Sequence, residues 1–495
     1  MIHEAHATVR NAGLLLGQRS LYIAGGFLFA AMVPRLMGPD LYGRYALITS
    51  LSLWFILFSD PGMTQVMIRY VPEMRLQENR ESLKKFFGSL LAVTLVSSTL
   101  VAIFYFLLTR LWFPDLDGLL LAAMAGAVFA RALAQPFFSF LLGLNEAARW
   151  GMNEIIRRWL SLILLLPGFY LAGLRGATTA VFLTELGILV TGIWWNRPYL
   201  SRSFIRFDLP SVTPYMRFGL IFFMTSLVAA AFQRSGEVLV RSVHADYIQV
   251  AYFGLAYNVY LAAAATIPQV TMAFVPLVTT LRTRGETKAL REWIEQLLKW
   301  LALGGVLILF GTILLGNDLV PLVLGGAYRK VAIHLLPLAI SLLFQALSGV
   351  ASVLTIVFNR PEMGLRASAI RLIVFWILGI PFIIWWGSLG ACFAVLVASG
   401  FHAGYFTWCM RQVVSYSLRR WVLAIGLALL FLPIGWLRSS WFVNAALYAI
   451  FVAGYVSTLF FLRVITRAEM LLAWRVFRQR GKPAQGTGVE KGDQK

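Results

Sequence analysis

The sequence predicts an all-α integral membrane protein of about 14 transmembrane helices, built as two pseudo-symmetric six-helix lobes around a central cavity plus two C-terminal helices. Three observations carry that expectation. Hydrophobic residues make up 59% of the 495 and charged ones 13%, with a mean hydropathy of +0.75, so the chain holds more apolar surface than a soluble protein can hide. Apolar runs of roughly 20 residues recur from end to end, long enough to cross about 30 Å of hydrocarbon as helices, whereas a membrane strand needs only about 10 alternating residues. Finally, short stretches echo one another at nearly one offset.

The opening segment 1–11 is polar and is followed by an apolar run with no small-residue cleavage site, so the first span is expected to stay in the mature chain. The spans are expected near 12–34, 41–68, 86–109, 117–144, 150–173 and 176–196, forming an N-lobe over 12–208. A C-lobe over 209–412 takes 214–240, 247–280, 296–316, 332–358, 364–386 and 388–410. Residues 413–466 add 419–437 and 441–464, and 467–495 form a basic amphipathic stretch and a polar, Gly-rich tail expected to be disordered. The stretch "RTRGETKALREWIEQLLKW" sets Leu290, Ile294, Leu297 and Leu298 at helical spacing beside a charged face, the pattern of a helix lying along a membrane interface.

The net charge of +21 does not point to nucleic acid, because the cations gather in alternate loops. Arg75, Arg80, Lys84 and Lys85 follow the second span, Arg197, Arg202 and Arg206 the sixth, and Arg282, Arg284, Lys288 and Arg291 the eighth. That is the positive-inside pattern, and it predicts that both termini are cytoplasmic. Arg329 and Lys330 run against it. Cys392 and Cys409 lie about 25 Å apart along one helix at 1.5 Å per residue, too far to bridge.

The echoes argue for a repeat. "YGRYALITSL" (42–51) is loosely matched by "VAYFGLAYNVYL" (250–261), an offset of 208. "GLRGATTAVFLTE" (173–185) is matched more sharply by "GSLGACFAVLVAS" (387–399), an offset of 214. Each offset spans about six helices, an even number, so the two copies enter the membrane in one direction, as parallel repeats do.

The stretch "RLMGPDLYGRYAL…FSDPGMTQVMIRYVPEM" resembles the opening of the polysaccharide-transporter, or oligosaccharide flippase, family. "GSLGACFAVLVASG" is similar to that family's late Gly-x-x-Gly-Ala signature. Members belong to the multidrug, oligosaccharidyl-lipid and polysaccharide exporter superfamily. The resemblance implies alternating access around a central cavity, moving a polyprenyl-diphosphate-linked oligosaccharide to the outer leaflet of a bacterial cytoplasmic membrane. Membrane lipids and a glycan polymerase or export machinery are its implied partners. Two departures stand out: Pro61 inside the Asp60–Gly62 signature, and Glu237 where Asp is frequent.

Cations within the spans are arginines: Arg19, Arg131, Arg157, Arg158, Arg234 and Arg371. A charge at mid-bilayer costs about 2.5–3.5 kcal/mol on the translocon scale, so such residues normally face a bundle interior or a wet cavity. Arginine keeps its charge when desolvated and presents a planar fork of donors suited to phosphate. Arg131 is about 14 residues from either end of its span, too deep to snorkel, and is the leading diphosphate candidate. Arg19, Arg158 and Arg371 lie shallower and can also reach the surface; Arg157 has Glu154 as an internal partner, and Arg234 has Glu237 one turn away. Glu237, Asp60 and Glu185 are the candidates for ion coupling, although Asp60 before Pro61-Gly62 equally suits a helix break, and Glu185 has no neighbouring partner in sequence.

No phosphate-cradling Gly-x-x-x-x-Gly-Lys-Ser/Thr loop occurs, and the five histidines are scattered, so neither ATP hydrolysis, a metal nor another cofactor is expected. A membrane glycosyltransferase or polymerase would need a catalytic loop or acidic site that the sequence lacks. Two other transporter classes stay open: a peptidoglycan-precursor lipid flippase, and a cation-coupled multidrug exporter, which would need uncompensated acids in its spans.

Overall fold

The computed structural model describes residues 2–76, 80–144, 146–200, 209–272, 274–358, 360–462 and 464; over 2–20 and parts of 209–225 it describes the backbone alone. The expected tail at 467–495 lies outside the described residues. The helices are α1 (Ile2–Ser59), α2 (Met63–Leu76), α3 (Arg80–Trp112), α4 (Gly118–Gly143), α5 (Ala147–Asn196), α6 (Leu209–His244), α7 (Tyr247–Ala264) and α8 (Thr266–Met272). They continue as α9 (Val275–Thr283), α10 (Thr287–Leu324), α11 (Val331–Val357), α12 (Pro361–Trp386), α13 (Ser388–Val413), α14 (Arg419–Leu429) and α15 (Trp441–Phe461). Eleven stretches among the described residues are long and apolar enough to cross a membrane. Two of these are folded back on themselves and count twice, so the described residues supply thirteen such passes against the expected fourteen, and α6 runs where the seventh was expected.

The folds inside α1 and α5 have a backbone cause. Gly38 stands at φ 71°, ψ 168° and turns α1 between its two arms, with Pro39 opening the second. Both arms then meet Tyr328: the Pro34 carbonyl accepts from its hydroxyl at 2.8 Å, and the Tyr42 ring meets it edge-on at 6.3 Å. In a straight helix positions 34 and 42 would be about 12 Å apart. In α5 the chain turns at Ala172 and Gly173, and a Cβ on Gly176 would lie 1.8 Å from the Gly168 carbonyl oxygen.

The repeat predicted from the echoes appears here in the backbone itself. Gly173 adopts φ 58°, ψ −138°, and Gly387, 214 positions later, adopts φ 59°, ψ −140°. A Cβ on Gly390 would lie 1.9 Å from the Phe382 oxygen, the counterpart of the Gly176–Gly168 approach. The looser echo has its match as well, since Ala245 takes φ 55° at the α6–α7 turn, 207 positions after Gly38. Each Gly-x-x-Gly is thus a tight hairpin, with its first glycine supplying the left-handed turn and its second admitting the returning backbone.

The ends of the bundle differ. At the end holding the turns at Gly38, 113–117, Gly173, Ala245 and Gly387, one apolar core is shared by both lobes, running from Val33, Tyr42 and Leu121 to Tyr257, Val331 and Cys392. At the opposite end, which carries the basic loops, the core divides. Met67, Phe87, Phe140 and Ile188 pack within the N-lobe, and Leu281, Ile294, Leu354 and Phe406 within the C-lobe. Helices α14 and α15 pack on α10 through Phe310, Phe451 and Tyr455, with the Phe310 and Phe451 rings stacked at 3.9 Å. The lobes therefore share one core at the elbow end and keep separate cores toward the basic end, where α2, α3 and the Tyr215 ring of α6 still touch across the divide (Tyr70–Tyr215, 4.5 Å).

Two expectations change. The amphipathic stretch is no separate interfacial helix: Leu290, Ile294, Leu297 and Leu298 belong to the first turns of α10 and are buried against the C-lobe's own core. Lys299, expected at a span end, is instead buried in α10, where its ammonium donates to the Val464 carbonyl at 3.0 Å beyond α15. A cation at the carbonyl end of a helix is favourably placed.

Candidate functional site

The charged residues of the spans form one group in each lobe, with Arg131 of the first within electrostatic reach of Arg234 of the second. On the N-lobe side Glu185, on the second arm of α5, is nearly buried and holds two arginines. One carboxylate oxygen accepts from Arg131 Nη1 at 3.2 Å, the other from Arg157 Nε at 3.1 Å. Arg157 also donates through Nη1 to Glu154, its i−3 neighbour. The partner that sequence did not show for Glu185 is therefore a pair of arginines on two other spans. Glu154 with Arg157 was visible from helical spacing.

Arg131 and Arg157 differ in setting. The Arg131 side chain is 30% exposed and lies within electrostatic reach of Arg234 in the other lobe, whereas Arg157 is 11% exposed and bonded on both sides. Arg158 lies along the Phe29 ring (5.8 Å) and under Gly25, so it faces the first arm of α1. Arg19 belongs to the same arm, and its side chain lies outside the described ones.

On the C-lobe side Arg234 and Glu237 lie within electrostatic reach of each other, but no contact ion pair joins them among the described residues. The Ser50 hydroxyl, from α1, reaches the Glu237 carboxylate at 3.2 Å and the Arg234 carbonyl at 3.1 Å. An Arg placed N-terminal to Glu is the less favourable order for a helical pair, and Glu237 turns instead to the neighbouring lobe. It is 3% exposed.

Arg371, on α12, is half-buried among the C-lobe helices. Its guanidinium stacks on the Phe232 ring at 3.9 Å and donates through Nη2 to the Tyr260 hydroxyl (3.1 Å) and the Ser399 hydroxyl (3.0 Å). All three partners are neutral, and no carboxylate pairs with it among the described residues. Its Nε is buried without an acceptor, as is the Tyr257 hydroxyl, which lies within electrostatic reach of Arg371.

Asp60 stands at the break between α1 and α2. Its carboxylate accepts from the Thr64 backbone N–H at 3.1 Å, capping α2 after the break at Pro61-Gly62. No group of three or more metal-ligating side chains occurs among the described residues.

A seal and a groove complete the setting. At the elbow end Asp115 of the N-lobe accepts from Tyr247 and Arg241 of the C-lobe, and the Tyr247 ring lies between the guanidinium groups of Arg44 (4.6 Å) and Arg241 (4.4 Å). Along the lobe seam an apolar cavity of about 730 Å³ is lined by Trp54, Phe58, Phe104, Trp112 and Trp376.

The comparisons with known proteins agree with this architecture. Among solved structures, "Lipid II flippase MurJ, inward closed conformation" superposes with a TM-score of 0.67 at 15% identity, over 91% of this chain and 99% of that one. An "Inward-facing conformation of a multidrug resistance MATE family transporter of the MOP superfamily" gives a TM-score of 0.66 at 13% identity, over 80% and 94%. At those identities the likeness is one of fold. No curated protein sequence matches the chain. A family model described as "Polysaccharide biosynthesis protein" matches residues 9–282, more than half of the chain. The chain belongs to the polysaccharide biosynthesis protein family, as its opening motif led one to expect.

Proposed function

We propose that the protein is a flippase that carries a polyprenyl-diphosphate-linked oligosaccharide, such as a polysaccharide or O-antigen repeat unit, from the inner to the outer leaflet of a bacterial cytoplasmic membrane. The basic end and both termini face the cytoplasm in this reading, and the lobes, joined at the elbow end, open inward. The observation that carries it is Arg371: a half-buried cation whose hydrogen-bond partners are all neutral, with its own Nε and the neighbouring Tyr257 hydroxyl buried and unbonded. Such an arrangement is costly in an apolar bundle unless an anion arrives to complete it. Arg131 lies within electrostatic reach of Arg234 in the other lobe, and Arg158 faces the first arm of α1, which also carries Arg19; in this reading all four bear on the head group's path. The apolar seam suits an isoprenoid chain that stays in lipid while its head group crosses.

An inside-negative potential favours outward movement of an anion by about 2.3 kcal/mol per charge per 100 mV. Glu237 supports a coupling role, because it is buried at the lobe seam, hydrogen-bonded by the Ser50 hydroxyl of the other lobe and with Arg234 near it but not in contact. The fold shared with a lipid II flippase favours a peptidoglycan precursor as the second reading, since its head group would make the same demands on Arg371. A multidrug exporter would need an acid-dominated cavity, and here arginines exceed carboxylates.

Gentle purification of the full chain followed by mass spectrometry of bound lipid tests the proposal. A copurifying isoprenyl-diphosphate sugar, lost in Arg371→Ala, is the expected result. The sugar's identity separates the two glycan readings, and a wild-type preparation that carries no isoprenyl diphosphate counts against both.

A further inference from the structure

We infer that Glu185 is the resting counter-ion of Arg131, and that the anionic head group of the cargo takes its place there. The inference rests on the flippase reading and concerns how its binding site is kept when empty. Glu185 is bound through both oxygens, one to Arg131 and one to Arg157. The two bonds are not equivalent. Arg157 is largely buried and is fixed on its other side by Glu154, whereas Arg131 is partly exposed toward the space between the lobes. Arg131 can therefore turn to a new acceptor while Glu185 keeps a charge-assisted bond to Arg157. Removing Arg157 would leave Glu154 and Glu185 with no second anchor of this kind.

This asymmetry is what an exchangeable ligand site in hydrocarbon requires. A bare arginine would hold the empty carrier at a high electrostatic cost each time the lobes rearranged. A permanently paired one would never bind cargo. With Glu185 as a placeholder, the cation is neutralised when empty, a diphosphate competes for it with up to several acceptor oxygens, and the carboxylate returns to drive release. Glu185 is then a positioning residue, acting through Arg131 and never needing to touch the cargo.

The test uses the full chain in lipid nanodiscs with farnesyl diphosphate as probe and farnesol as the uncharged control. Glu185→Gln, which keeps an acceptor for Arg157 and removes the competing charge, is expected to bind farnesyl diphosphate at least about tenfold tighter, equivalent to ~1.4 kcal/mol. Glu185→Asp, which keeps the charge on a shorter arm, should fall between it and wild type, and serves if the Gln variant does not fold. The gain should vanish in the Glu185→Gln/Arg131→Ala double variant. Folded Glu185 variants that bind no tighter than wild type, or a gain that survives loss of Arg131, overturn the inference while leaving the flippase reading intact. Wild-type protein that prefers farnesyl diphosphate no more than farnesol overturns the flippase reading and this inference with it.

Discussion

The Tyr247 hydroxyl donates to the Asp115 carboxylate at 2.6 Å, and with Arg241 at 3.0 Å on the same oxygen it ties the C-lobe to the N-lobe at the elbow end. Partial burial alone would raise the Asp115 carboxyl; the Tyr247 hydroxyl and the Arg241 guanidinium outweigh it and hold the group below its ordinary value. Because the value is lowered in the closed state, the tie is present above about pH 4 and is lost as pH falls through the lowered value. Closure should thus be flat between pH 6 and 8. Asp115→Asn and Tyr247→Phe should increase labelling of cysteines introduced between the lobes from the elbow side, at neutral pH, without changing labelling from the basic side. Unchanged labelling in both variants would show that the apolar core alone holds that end shut.

Arg131 and Arg157 should behave differently although they share Glu185. Arg157→Ala leaves a buried carboxylate and its neighbour short of a partner, and breaking such a pair costs about 3–5 kcal/mol; thermal unfolding in detergent should show a clear loss. Arg131→Ala leaves Glu185 on Arg157, so folding and insertion should be near wild type while transport disappears.

The Gly-x-x-Gly elbows make a prediction about fold. A Cβ on Gly176 or Gly390 would lie 1.8 or 1.9 Å from a carbonyl oxygen of the returning arm, which no rotamer can relieve. Gly176→Ala and Gly390→Ala should each cost ~3 kcal/mol or more. Gly387→Ala, where the obstacles are φ 59° and a side chain, Gln249 Oε1 at 3.0 Å from an added Cβ, with no backbone in the way, should cost about 1–3 kcal/mol. Melting of the three variants in one detergent orders them. Equal losses would contradict the close approach.

Which features could be foreseen follows from what one-dimensional spacing encodes. The elbows show in sequence as Gly-x-x-Gly because no other residue meets both the turn and the close approach, so the repeat is written in glycine. Glu154 with Arg157 is visible because helical neighbours recur every three or four residues. Arg131 with Glu185 is not, since 54 positions separate them and their meeting depends on how α4 rotates against α5. The same limit explains the stretch at 287–300: periodicity shows that a face is apolar, and says nothing of whether lipid or protein covers it. Lys299 was misplaced for a related reason, because its depth was counted from the end of an apolar run, and α10 begins nine residues before its expected span.

The central claim is that the arginine-lined space between the lobes carries a lipid-linked anion across the bilayer. Proteoliposomes loaded with an isoprenyl-diphosphate-linked oligosaccharide in one leaflet, probed by a membrane-impermeant lectin at the other, test it most directly. The account predicts protein-dependent appearance of the glycan at the second leaflet, abolished by Arg131→Ala and by Arg371→Ala in variants that fold and insert normally. Transfer no faster than in protein-free liposomes, or undiminished in both variants, would contradict it.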